Sequence, residues 1–358
     1  SLGRVVQGEL MRAALDAGEP IRVCLALAQE VCYAAAGGSR NRTAVEAVAN
    51  RLRTIAARVG RPEVIGFADA AIGIATHMSG RWRDARSSLE SGLAALRDHG
   101  AGVRWEIDIG DTFWLATLCY LGEWREMSRL TEMLLRDAIE RADAVAQNNL
   151  RIGRCNFAWL VIDRPDTARE HLAIAERALR DESFRLQDVS VMTAAANIDL
   201  YAGDPATAFS RIDGAWSQLE QIGCLRLQQP RIELALLRAR ALLSLGSADH
   251  RREARIHAEL MIKEGAAWAT GLGHLVRGAV HAWAGGPEAA RAELLAAEDH
   301  LISTGMLGYL QIARLHRGAI EGGTIGNARS ATAREVLAGL GAVNTDAMIR
   351  HLLPWPGR

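Results

Sequence analysis

The sequence predicts an all-α fold, a right-handed α-solenoid of helical hairpins with a repeat of about 40 residues. Three observations predict it. A turn landmark recurs along the chain, a small residue recurs at a fixed distance before it, and strand signals are almost absent. The landmark reads Gly80-Arg-Trp-Arg-Asp-Ala85, Gly122-Glu-Trp-Arg-Glu-Met127, Asp163-Arg-Pro-Asp-Thr-Ala168, Gly203-Asp-Pro-Ala-Thr-Ala208 and Gly285-Gly-Pro-Glu-Ala-Ala290. A sixth copy begins at Gly246 and carries extra residues before Ala254. The steps from 80 to 122, 163, 203, 246 and 285 are 42, 41, 40, 43 and 39 residues. A fixed period of this size marks a repeat array and moves the functional question from a catalytic pocket to an extended binding surface.

Each landmark combines a helix stop with a helix start. Glycine adopts the left-handed conformation that ends a helix. Pro165, Pro205 and Pro287 stand in first turns, where no NH is lost. Asp163, Asp204 and the acids of the first turns suit a helix N-terminus. Seven residues before the landmark stand Gly73, Ala196, Ala239 and Gly278, with Leu115 and Asn156 as exceptions. The unit is therefore helix A with a small residue, a turn, then helix B with a small residue. That spacing matches the tetratricopeptide pattern. Its usual period is about 34 residues, and here the pair is longer by roughly a turn and a half. HEAT-type helical pairs have the right period and are the alternative, but do not demand the paired small residues.

Apolar residues at helical spacing, as in Leu234, Leu237, Ala241 and Leu245, place helices in order. They fall near 3–17, 20–36, 42–59, 62–79, 81–98, 103–121, 123–142, 144–162, 165–180, 187–202, 205–222, 229–245, 249–264, 267–284, 287–304, 306–320, 328–340 and 344–352. Gly37-Gly38-Ser39 before Thr43-Ala44 lies one period upstream of Gly80 and starts a degenerate repeat. Gly322-Gly323-Thr324 breaks the array, and Pro354-Trp355-Pro356 ends it. The predicted organisation is a helical cap over 1–37, the array over 38–322 and a C-terminal helical cap over 323–358.

The 358 residues are 49% hydrophobic and carry 42 basic against 42 acidic side chains. A balanced charge argues against a general nucleic-acid surface. The only lysine, Lys263, lies in the helical stretch Leu260-Met-Ile-Lys-Glu-Gly265, in neither a P-loop nor a kinase setting. No HRD, DFG or GxxxxGK[ST] motif occurs. Cys24, Cys32, Cys119, Cys155 and Cys224 sit in apolar helical patterns without a CxxC pair. They are expected to be buried, reduced thiols of a cytoplasmic protein. No apolar run reaches the roughly 18 residues of a membrane span. The start, Ser1-Leu-Gly-Arg, has no apolar signal core and no Met, and reads as a fragment of something longer.

Several stretches are distinctive: Gly102-Val-Arg-Trp-Glu-Ile-Asp108, Leu118-Cys-Tyr-Leu-Gly-Glu123, Arg141-Ala-Asp-Ala-Val-Ala-Gln-Asn-Asn-Leu-Arg151, Asn156-Phe-Ala-Trp-Leu160, Phe184-Arg-Leu-Gln187, Asp199-Leu-Tyr-Ala-Gly-Asp204, Arg231-Ile-Glu and the tail Gly341-Ala-Val-Asn-Thr-Asp-Ala-Met-Ile-Arg-His-Leu-Leu-Pro354. In this order they resemble the C-terminal region of large bacterial serine/threonine kinases of the myxobacterial type. There a kinase domain is followed by a STAND-like AAA ATPase module and a tetratricopeptide-like array. The resemblance covers nearly the whole chain. It implies signalling, ATP use and protein phosphorylation by the parent protein, with this part a sensor or scaffold. No catalytic residue carries over. The alternative is the sensor arm of a STAND transcriptional regulator resembling the maltose-regulon activator. That arm would be expected to lead to a DNA-binding helix-turn-helix, where this chain reads Leu352-Leu-Pro-Trp-Pro-Gly-Arg.

Other candidates have ordinary readings beside the functional ones. His274 and His281 share a helix face, but a metal would need further ligands, and no metal or cofactor is expected. The cluster His250-Arg251-Arg252 with Arg255 is either a solvated turn or a phosphate contact. Glu106, Asp108 and Asp111 are read through the helix dipole rather than as an acid–base set. Gly271-Leu-Gly273 lacks the strand a dinucleotide loop needs. Trp82 and Trp124 share one slot and are expected to wedge between helices A and B, and Trp105, Trp114, Trp159, Trp216, Trp268 and Trp283 to pack between helices. The candidate binding groove is polar residues inside successive A helices: Tyr120, Asn148, Asn149, Arg151, Asn156, Asn197, Asp199 and Tyr201. They form either a buried structural network or a groove for a protein or peptide, including another domain of the same parent. No nucleic acid or membrane partner is expected. The expected role is binding and signal relay, not enzymatic; a helical-toroid enzyme would need clustered acids or metal ligands.

Overall fold

A computed structural model describes residues 2–179 and 185–356. The fold is all-α, with nineteen α-helices and no strand among the described residues. Phe184 and residue 180, the expected end of one helix, lie outside them. The chain divides into two compact units, residues 1–117 with 227–229, and residues 118–226 with 230–358.

The first unit holds α1 (Leu2–Ala17), α2 (Pro20–Ala35), α3 (Arg42–Val59), α4 (Pro62–Met78), α5 (Trp82–His99) and most of α6 (Arg104–Leu121). Glu19 caps α2, accepting from the Ile21 and Arg22 amides, and those two bonds hold its carboxyl below the ordinary carboxylate range. α4 and α5 cross closely because glycines face backbone. A Cβ on Gly92 would stand 2.5 Å from the Ala70 nitrogen, and one on Gly66 2.7 Å from Ala95 Cβ. At Gly73 it would stand 2.7 Å from Leu89 Cγ. Leu89, Leu93 and Leu96 are wholly buried along this crossing. The carboxylates of α6 depart from the dipole expectation. Asp108 and Asp111 lie beyond the first turn, and each is buried against an arginine, Asp108 with Arg104 and Asp111 with Arg97. Burial nevertheless pushes the Asp111 carboxyl up.

The second unit continues through α7 (Trp124–Glu140), α8 (Ala144–Arg151), α9 (Gly153–Val161), α10 (Pro165–Ala178), α11 (Leu186–Ala202), α12 (Pro205–Gln221), the rest of α13 (Gln228–Leu245), α14 (Ala248–Lys263), α15 (Ala267–Trp283), α16 (Pro287–Thr304), α17 (Leu307–Glu321), α18 (Gly323–Leu340) and α19 (Thr345–Leu352). The helix expected over 144–162 is two helices. Ile152 is extended, Gly153 is left-handed, and the Asn156 amide takes up the Arg151 carbonyl freed by the break. Asn156 also donates to the Ala168 carbonyl at 3.0 Å. An amide in a slot held by small residues in four of the six repeats thus bridges two helices.

The landmark turns share one geometry. Gly80, Gly122, Gly203, Gly246 and Gly285 have φ between 74° and 84°, and Asp163 stands in the same left-handed region at 56°. The next residue's amide bonds back five residues at Arg81, Glu123, Arg164, Asp204 and Gly286. This is the Schellman closure, which takes up a terminal carbonyl of each helix. At 163 the strain of a side chain is offset locally, since the Asp163 carboxylate accepts from the Tyr201 hydroxyl at 2.8 Å and from Asn344. Ala85, Ala168, Ala196, Ala208, Ala239 and Ala290 are wholly buried, and a Cβ added at Gly278 would stand 3.4 Å from Ala290 and Leu294 of α16. Trp82 and Trp124 are buried, Trp124 donating to the Cys119 carbonyl.

Contacts in the second unit also run far along the sequence. The turn at Gly122 meets Leu307 and Gly308, and Arg125 meets Gly339 and Gly341. The Val343 amide bonds the Val161 carbonyl. The segment ending in α19 therefore lies against α9 and α11 rather than extending beyond α18.

Candidate binding site

Within the second unit, residues from the end of α6, the start of α7 and from α9, α11, α13, α17 and α19 line a cavity of about 50 Å³. Its polar wall begins at Tyr120. The Tyr120 hydroxyl donates to Glu233 and accepts from Arg154 Nη2 at 2.6 Å, while the Arg154 guanidinium lies 4.0 Å over the Tyr120 ring. Arg154 also pairs with Glu233 at 3.1 Å. Burial is the largest single influence on the Arg154 charge and works against it, but Glu233 together with Tyr120, Cys119 and Tyr309 outweighs it and holds the guanidinium firmly protonated.

Arg240 is the second cation. It is 5% exposed. One Nη donates to Asn197 Oδ1 at 2.8 Å and the other to the His351 carbonyl at 3.0 Å. Its Nε has no partner, and no carboxylate among the described residues pairs with it. Burial lowers its pKa. His351 is held neutral, its pKa well below 6.5, by burial and then by Arg240. Its ring stacks on Phe157 and meets Tyr201 edge-on. Burial raises the phenol of Tyr309 and the thiol of Cys119. The cavity wall thus carries two guanidiniums against one carboxylate.

Four of the groove residues gather here. Tyr120, Asn156 and Asn197 line the cavity, and the Tyr201 ring meets His351, its hydroxyl committed to Asp163. Asn148 and Asn149 are half-buried on α8 outside this network. Arg151 is buried beside them and donates to Gln147. Asp199 binds Arg211 at 2.7 Å. Sequence reasoning missed Arg154, Glu233, Arg240, Tyr309 and His351. One signal was available, a charge inside an apolar helical run, as Arg240 is within Leu237-Arg-Ala-Arg-Ala-Leu242.

The remaining candidates have structural partners. His274 binds Glu293 at 2.8 Å and stacks on His300, and His281 is half-buried on the same helix. No group of three or more metal-ligating side chains is found among the described residues. Arg252 and Arg255 pair with Asp249 and Glu259. Cβ atoms on Gly271 and Gly273 would meet His300 on one side and the Ala258 carbonyl on the other, so these glycines let α16 and α14 approach α15. All five cysteines are free, and no described helix is long and apolar enough to cross a membrane.

No protein-family model and no curated protein matches the chain.

Proposed function

We propose that this chain is a protein-interaction and sensor scaffold, a solenoid of tetratricopeptide-like hairpins repeating about every 40 residues. On this reading it serves a cytoplasmic bacterial signalling protein resembling the kinase–ATPase proteins above, and it carries no catalysis itself. The observation that carries the reading is the shared turn. Five of the six landmarks, at 80, 122, 163, 203 and 285, close with a left-handed residue and the same backbone bond, which supports a repeated presentation of the A helices. Polar side chains at related positions then form a strip suited to a peptide or a neighbouring domain. Part of that strip, Asn197 and Tyr201, lies under α19. Asn148 and Asn149 are half-buried and uncommitted, so they are the residues that a partner would meet first.

The test is a titration of the chain with the ATPase module of its parent protein, followed by calorimetry. The double variant Asn148→Ala/Asn149→Ala is expected to melt as wild type and to bind at least tenfold more weakly, on the order of 1.4 kcal/mol. Absence of binding by wild type, or equal binding by the variant, would refute the reading.

A further inference from the structure

We propose that the cavity of the second unit binds a small monocarboxylate, with the buried Arg240 guanidinium supplying the counter-charge. Three observations converge on this ligand class. The first is charge. Arg154 is matched by Glu233, whereas the partners of Arg240 are neutral: the Asn197 side chain, and the carbonyl and ring Nε2 of His351. An unpaired charge removed from water is costly, and the usual remedies are a counter-ion or loss of the proton. Arginine does not lose its proton in proteins, so a counter-ion is the remedy left.

The second observation is size. A cavity of about 50 Å³ exceeds what one water needs, on the order of 10–15 Å³, by a factor of roughly three to five. An anion of about that many heavy atoms fits, such as formate, acetate or bicarbonate, and a sugar acid does not.

The third is the character of the walls. The planar guanidinium matches a carboxylate better than a spherical ion. Tyr309 also lines the cavity, and its hydroxyl makes no hydrogen bond to a described residue, which leaves a second donor. Phe157, Leu160, Leu236 and Leu237 also line the cavity, apolar surface for a methyl or short alkyl group. Charge and hydrocarbon in one lining select a short-chain carboxylate over a halide. This site does not depend on the solenoid's partner, and either assignment can fail without the other.

The experiment titrates the whole chain with sodium acetate at constant ionic strength kept by sodium gluconate, whose anion is too large for the cavity. Thermal unfolding and calorimetry provide the readouts. Acetate is expected to raise the melting temperature saturably over gluconate, with sodium chloride giving a smaller shift. Arg240→Met is expected to abolish the acetate shift, and Arg240→Lys to retain part of it. Equal melting in acetate and gluconate would overturn the proposal, as would an acetate shift that survives Arg240→Met. If Arg240→Met does not fold, line broadening of isotope-labelled acetate by wild type decides. Broadening reversed by unlabelled formate supports the site, and no broadening overturns it.

Discussion

Replacing Gly92 by alanine tests the helix crossing on which the first unit rests. The added Cβ would lie 2.5 Å from the Ala70 nitrogen, 2.8 Å from the Gly66 carbonyl oxygen and 3.0 Å from Ala70 Cα. Non-bonded carbons prefer about 3.5–4.0 Å. All three obstacles are backbone, so no side chain can rotate away and α4 and α5 must separate. Leu89, Leu93 and Leu96 would then lose their close contacts along the same seam. Overpacking of this kind costs about 1–3 kcal/mol. Alanine returns about 1 kcal/mol through its better helix propensity. The expected net loss is therefore up to about 2 kcal/mol. Gly8 is the internal control. It lies in the exposed part of α1 with nothing within 4 Å of an added Cβ, so Gly8→Ala keeps only the propensity gain. Urea unfolding followed by circular dichroism should place Gly92→Ala below wild type and Gly8→Ala at or above it. A Gly92→Ala protein as stable as Gly8→Ala would show that the helices do not meet at this glycine.

Two further outcomes follow from the second unit. His257 is half-buried beside Trp216, and desolvation, then Arg238, lowers its pKa from 6.5 to about 4 against the pull of Glu253. The unfolded chain therefore binds the proton more readily than the folded one. The stability from the neutral ring is complete above pH 6.5 and is lost as pH falls towards about 4. The loss is on the order of 3 kcal/mol, and His257→Gln should flatten that part of the stability–pH profile; an unchanged profile would refute it. Ala208→Leu and Gly278→Leu should each lose about 1–3 kcal/mol by overpacking. Gly214→Leu, with open space around it, should not, and equal midpoints for all three would refute the register.

The turns were legible because their chemistry is local. A left-handed glycine, a first-turn proline and an alanine five residues on act within one helix end, and the landmark at 203 shows all three. The break at Ile152 was not legible. The apolar periodicity runs through it, and the Asn156 amide that stabilises it lies four residues further on. Asp111 was misread for a related reason. Its partner Arg97 sits on the preceding helix, where sequence spacing carries no information about contact.

The site was less legible than the fold because its members come from seven helices. Asn148 and Asn197 look alike in sequence, as amides inside A helices. Asn197 is fixed by Arg240, while Asn148 lies outside the cavity network. What separates them is the path of the chain after α18, which brings α19 back against α9 and α11. That return also explains why a charge so deeply buried is held in place. Arg240 spends one Nη on α11 and the other on the backbone of α19, so its guanidinium ties the C-terminal helix to the interior. A neutral isostere would keep the volume and lose both bonds, leaving the His351 carbonyl and Asn197 amide oxygen unpaired at roughly 1–3 kcal/mol each. Arginine at 240 thus has a structural reason to persist, but that reason accounts only for its donors. The charge that accompanies them is what the cavity leaves uncompensated.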